Sequence, residues 1–210
     1  MYKRQAKRVR KELIFTITIS LSTILALLVF FYYHEGDENT PPTSPPQQVV
    51  TISLPVGPGP TNYHIQIQPA PGTCLYRESD SGDVLPDPNC TPGAVSPKVT
   101  QDNLNQTICK PGYTKSIRPP QSITQSEKRA SQLAYSYMGE GEYDHLVSLE
   151  LGGDPNDPRN LWIEPGSVPN SKDKVEAKLH TLVCAGKVSL AQAQSAIADD
   201  WTTALDVVQG

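Results

Sequence analysis

Between Tyr143 and Glu176 the chain gathers side chains suited to hydrolytic chemistry. Asp144-His145 is followed by Leu146-Val147-Ser148-Leu149-Glu150-Leu151-Gly152-Gly153, then by Asn160-Leu161-Trp162, then by Asn170-Ser171-Lys172-Asp173-Lys174-Val175-Glu176. A neutral imidazole can take the proton of a water near pH 7. Carboxylate and amide oxygens suit a hard divalent cation, which stabilises both a phosphate and its leaving oxygen. A lysine could contact phosphate directly. On a strand, Asp144 and His145 point to opposite faces, so one of them could be a plain surface group. Asn170 could be no more than the N-cap of a helix whose first turn carries Asp173, favourable to the dipole. Glu176 and His180 lie four apart on one helical face and could join the site or form an exposed pair.

The elements that must position these groups can be read from local pattern. Ser122–Tyr137 predicts a helix, Glu142–Leu151 a short strand and turn ending in Gly152-Gly153, and Asn160–Ile163 a second strand. Val175, Leu179, Leu182 and Val183 give Lys172–Cys184 a helical period, and Gly186 suits its C′ position. Ser189 and Gln192 form a capping-box pattern for a last helix with Leu190, Ala193, Ile197, Trp201 and Leu205 on one face. Trp162 and Trp201 are expected in the core. The local order is strand, loop, strand, helix, helix. Upstream, Tyr63–Pro69 alternates weakly and predicts one strand, and Ala70–Lys98 is loop-like, with turns at Pro71-Gly72, Ser81-Gly82 and Pro92-Gly93. Asp154, Asn156 and Asp157 suggest a calcium loop, but the EF-hand pattern fails and Pro155 and Pro158 interrupt it.

Taken together over about residues 109–201, these motifs resemble the HNH family of His-Me finger nucleases, and within it an exported bacterial subgroup with the pattern DHLxxLELGG, NLW, KDxxE and LH..VC. Leu85-Pro86-Asp87-Pro88 and Cys109-Lys110-Pro111-Gly112-Tyr113 are similar to that subgroup as well. The resemblance implies an α+β fold with a small ββα-metal core. It implies His145 as general base, Asn160 as the residue holding the loop that orients it, and Asp144 as a metal ligand. The third position falls on Asn170 or Asp173 as further oxygen ligands, with Lys172 as a phosphate-contacting competitor. No second His stands there, which departs from the family's metal set. The implied cofactor is a divalent metal, Mg2+ or Mn2+ ahead of Zn2+. The implied partner is nucleic acid, DNA ahead of RNA.

Class and compartment follow from the rest of the chain. Residues 1–12 carry six basic side chains, and Leu13–Tyr33 then runs without a formal charge. At about 1.5 Å per residue that stretch spans a bilayer core of about 30 Å. It is longer than a signal-peptide core and ends in Phe30-Phe31-Tyr32-Tyr33, which suits an interfacial aromatic belt. A transmembrane helix over 13–33 places the basic tail 1–12 in the cytoplasm and the rest outside. Residues 34–60, rich in proline, read as a linker, 61–108 as a loop-rich segment and 109–210 as the nuclease-like domain.

Four cysteines without a CxxC pair argue against a zinc ribbon, and an even number in an exported chain suggests two disulfides. Of three connectivities, Cys74–Cys90 and Cys109–Cys184 are favoured: one closes a local loop, the other ties a loop to the helix over 172–184. The whole chain carries −4, and beyond residue 33 the 12 basic and 21 acidic residues leave −9, so nucleic-acid contact needs a local patch. Lys110, Lys115, Arg118, Lys128 and Arg129 supply one, with Glu127 the sole acid among them. Lys115, Arg118, Lys128, Arg129 and Lys172 are therefore the candidate nucleic-acid contacts. The competing function is a non-catalytic surface or envelope domain that keeps the fold and binds a partner.

Overall fold

The computed structural model describes residues 53–61 and 63–209. The basic tail, the apolar stretch 13–33 and most of the proline-rich linker lie outside them. Among the described residues no helix is long and apolar enough to cross a membrane. The last residues of the linker are built into the domain. Val95 N donates to Pro55 O and Gly57 N to Val95 O, both at 2.9 Å, and Leu54 packs against the core. The folded part therefore begins before residue 61.

The fold is α+β, with small antiparallel sheets and two disulfides. In chain order it has β1 (Arg77–Glu78), β2 (Val84–Leu85), α1 (Tyr113–Ser116), α2 (Gln121–Ala134), β3 (Gly141–His145), β4 (Leu161–Pro165), α3 (Lys172–Cys184), α4 (Leu190–Asp199) and α5 (Ala204–Gln209). β1 pairs with β2, and β3 with β4, each antiparallel. Residues 63–69 form no strand. Their polar groups go elsewhere: Gln66 N donates to Glu127 Oε1 (2.7 Å) and Tyr63 OH to Ile117 O (2.5 Å).

Helix ends follow local chemistry. α2 stops at Ala134, short of 137, because Ser136 enters the left-handed region (φ 51°) and Tyr137 N returns to Gln132 O. α3 has the predicted bounds. Gly186, at φ 68°, ends it, with Lys187 N bonded to Leu182 O and Gly186 N to Val183 O, the Schellman pattern. The Ser189–Gln192 capping box starts α4. That helix does not run on through Leu205, as its apolar face suggested. Asp200 turns extended (φ −153°), and its carboxylate accepts from Thr202 N and Oγ1.

The core joins β4 to the helices. Trp162 is fully buried, and Tyr76 stacks on Tyr135 beside it with ring centroids 4.6 Å apart. Trp201 is also buried. Both disulfides pair as favoured, Cys74–Cys90 and Cys109–Cys184, with Cα separations of 5.9 and 5.7 Å. They close loops of different length, which sets their expected worth. Chain-entropy scaling gives about 3 kcal/mol for the separation of 16 residues and about 4.5 kcal/mol for that of 75. The double variant Cys109→Ala/Cys184→Ala is therefore expected to lose more stability in chemical denaturation than Cys74→Ala/Cys90→Ala; the reverse order would contradict this scaling.

Candidate active site

Asp144 and His145 end β3, paired with Trp162 and Leu161 across the ladder. Alternation sends them apart. Asp144 turns to α3, where its Oδ2 lies 2.8 Å from Lys172 Nζ. His145 turns to the loop between the strands, where Nε2 lies 3.1 Å from Pro155 O. A carbonyl only accepts, so Nε2 carries the proton, and in the neutral ring Nδ1 keeps its lone pair. Nδ1 has no hydrogen-bond partner among the described residues. Burial, opposed by the Asp144 charge and the Pro155 hydrogen bond, brings the imidazole down to about 4. His145 is thus neutral at pH 7.

Asn160 holds that loop. It is fully buried; Nδ2 donates to Val147 O and Asp154 O (3.0 Å each), and Oδ1 accepts from Val147 N (2.9 Å). β3 ends where it does because Val147 N is drawn to this side chain, while Leu146 N still reaches Asn160 O. Gly152-Gly153 is required by the same turn. Gly152 sits at φ 73°, and a Cβ on Gly153 would overlap Val147 O. Asp154 completes it: Oδ1 accepts from Asn156 N and Asp157 N (3.0 Å each), and Oδ2 from Gly59 N (2.6 Å). The run Asp154-Pro155-Asn156-Asp157 therefore serves to present the Pro155 carbonyl to His145. Its signal in the sequence is an aspartate two residues before an asparagine in a proline-broken turn, a pattern of self-bonding loops.

Each of the candidate metal ligands is engaged by another protein group. Asn170 and Asp173 cap α3 reciprocally, with Asn170 N donating to Asp173 Oδ2 (2.9 Å) and Asp173 N to Asn170 Oδ1 (3.2 Å). Asn170 Nδ2 also donates to Glu164 Oε2 at 3.2 Å. Asp144 is engaged by Lys172. As arranged, these oxygens do not fit a shared divalent cation. Among the described residues, one group of three or more His, Cys, Asp or Glu converges: Cys109, His180 and Cys184, whose ligand atoms lie within 4.8 Å of one another and could hold a metal ion. Its sulfurs are joined in the disulfide, and His180 Nε2 lies 3.0 Å from Ile108 O. His180 thus belongs to the disulfide end of α3, whereas Glu176 reaches the Asp144 end through Lys172.

Two cavities flank His145. One, of about 310 Å3, opens toward α2 and is lined by Arg118, Gln121, Gln125, Lys128 and Tyr143. The other, of about 220 Å3, opens toward α3 and is lined by Arg118, Glu142, Asp144, Asp173 and Glu176. Both include His145 and Arg118. A larger cavity, of about 490 Å3, lies against Glu164, Asn170 and Trp201 and does not include His145. Of the basic candidates, Arg118 and Lys128 line a cavity beside the imidazole, with Lys128 Nζ donating to Gly141 O (2.6 Å). Lys115 and Arg129 are exposed and line neither flanking cavity. Lys172 is 1 % exposed and cannot meet a phosphate from outside, so the surface role read from its charge is corrected by its burial.

The acids around Lys172 are perturbed. Burial first, and then the Asp144 charge, pushes Glu164 up to about 9. Burial pushes Glu176 up to about 7 against the pull of Lys172. For Lys172 itself burial opposes the charge, but Asp144, Glu176 and Glu164 outweigh it and raise the ammonium above its ordinary value. From the ordinary value of 4.5 upward, the folded chain holds protons on both glutamates that the unfolded chain has released, so stability falls as pH rises through these windows. His145 acts oppositely between about 4 and 6.5. Between pH 8 and 9, where Glu176 has largely released its proton, Glu164 is the one of the three that still titrates. The melting temperature is expected to drop over that range, with a slope of at most about 1.4 kcal/mol per pH unit, and Glu164→Gln is expected to flatten it. Equal slopes in the two proteins would rule Glu164 out as the cause.

No protein-family model, curated protein or solved structure matches this chain.

Proposed function

We propose that the folded part of this chain is an HNH-type nuclease that hydrolyses phosphodiester bonds, carried outside the cytoplasm on an N-terminal transmembrane helix. The observation that carries the reading is His145. It is neutral, its Nε2–H is held by Pro155 O, its Nδ1 has no hydrogen-bond partner among the described residues, and it lies between two cavities that share Arg118. Nδ1 takes the proton of the attacking water as its oxygen bonds to phosphorus, the bond to the leaving oxygen breaks and that oxygen takes a proton from solvent, and Arg118 offers charge-assisted hydrogen bonds to the phosphate oxygens. Asn160 fixes the loop that orients the ring. The order β3, Asn160-braced loop, β4, α3 supports a ββα core. Arg118 and Lys128 give the acidic domain a local basic edge, with DNA ahead of RNA as substrate.

The test is incubation of the purified chain with plasmid DNA and with single-stranded RNA, with Mg2+, with Mn2+ and with EDTA. Cleavage that tracks the chain through purification supports the reading, and none under any of these conditions sinks it. A second reading, a non-catalytic domain that binds a surface partner, draws on the engagement of Asp144 by Lys172. It is favoured by a well-folded chain that cuts neither substrate.

A further inference from the structure

Lys172 is the first residue of α3, yet its ammonium is buried between that helix and β3. Its three N–H bonds are all used. They go to Asp144 Oδ2 (2.8 Å), to His145 O (2.8 Å) and to Glu176 Oε1. Two carboxylates and one main-chain carbonyl, gathered from a strand and a helix, form the kind of oxygen set a hard cation takes. Here the positive centre at their focus belongs to the protein. We infer that Lys172 is a built-in cation that replaces a divalent metal beside Asp144 and acts as the positioning residue for His145.

Two physical points support this. Removing an ammonium from water is costly, and it persists inside a fold only with close partners of opposite charge. Lys172 has one in Asp144 and a second in Glu176, which burial leaves partly ionised near pH 7. The second point is where the contacts fall. By bonding the Asp144 side chain and the His145 carbonyl together, Lys172 grips both residues of the dipeptide and ties them to α3. The imidazole then has its backbone fixed by Lys172 and its ring fixed by Pro155 O. A divalent cation on the same oxygens would require Lys172 to leave.

The inference uses the nuclease reading only for the purpose of the arrangement; occupancy by the ammonium is measured without any cleavage. With the full chain, Mn2+ binding is followed by loss of the free-ion spin-resonance signal, and melting temperature is recorded with Mn2+ and with EDTA. The wild type is expected to show no Mn2+ binding that Asp144→Asn abolishes, and the same melting temperature in both conditions. Lys172→Met is expected to melt roughly 10 °C lower, to bind Mn2+ at the vacated oxygens and to regain part of the loss. Lys172→Met/Asp144→Asn is expected to show no such recovery. Wild-type Mn2+ binding that Asp144→Asn abolishes would overturn the inference, even if Lys172→Met does not fold. A folded Lys172→Met that ignores Mn2+ would also overturn it. If the wild type cuts nucleic acid, it is expected to do so equally in EDTA; absence of cutting bears on the nuclease reading and leaves the binding result standing.

Discussion

Replacing His145 by alanine is expected to lower cleavage by about 10²- to 10⁴-fold, the range a positioned general base supplies. The fold should tolerate the change. One hydrogen bond, to Pro155 O, is lost, worth about 1 kcal/mol or about 2–4 °C of melting temperature for a domain of this size. The pH profile gives a second signature. His145 must be unprotonated to accept the water's proton, and burial holds it at about 4. Activity measured as kcat/KM should therefore persist as pH falls through 6.5 and decline only near 4. Equal cutting by wild type and His145→Ala would remove His145 from the reaction, and an acid limb at the ordinary histidine value would show that burial does not hold the imidazole down.

The second large effect is expected at Asn160. Truncation to alanine leaves Val147 N, Val147 O and Asp154 O buried without their partner. Each such orphan costs about 1–3 kcal/mol, so the loss is several kcal/mol and about 10 °C or more in melting temperature. Cleavage should fall as well, at temperatures where the variant is still folded, because the loop that presents Pro155 O is no longer anchored. Asn160→Asp separates the amide's two roles. It keeps the acceptor for Val147 N but turns a carboxylate oxygen toward two carbonyls, so it should not restore stability despite its matching shape. A variant as stable as wild type would show that the bracing amide is dispensable.

How much of this was legible beforehand depends on how local each feature is. The bounds of α3, its Gly186 terminator and the Ser189–Gln192 capping box could be read because each rests on residues within one or two turns of one another. The disulfide pairing was legible for a related reason: one bridge closes a short loop, the other fastens a loop to a helix already identifiable by its period. The opposite faces of Asp144 and His145 follow from strand geometry alone. Residues 63–69 misled because alternation states a preference and a strand needs a partner; their polar groups instead found α2 and the loop after Pro155. The continuous face from Leu190 to Leu205 misled for a comparable reason, since Asp200 breaks the helix with its own side chain.

The sequence by itself pointed to His145 as candidate base and to Asn160 through their resemblance to the HNH motifs, and to the helix that follows through its apolar period and terminator. Only the tertiary structure decided what surrounds them. Whether a lysine is a surface charge or a buried cation depends on oxygens 27 and 28 residues away. The carbonyl that fixes the imidazole's proton belongs to a proline, and nothing in that side chain advertises the role. Such long-range electrostatics arise when segments meet, and no local pattern encodes them.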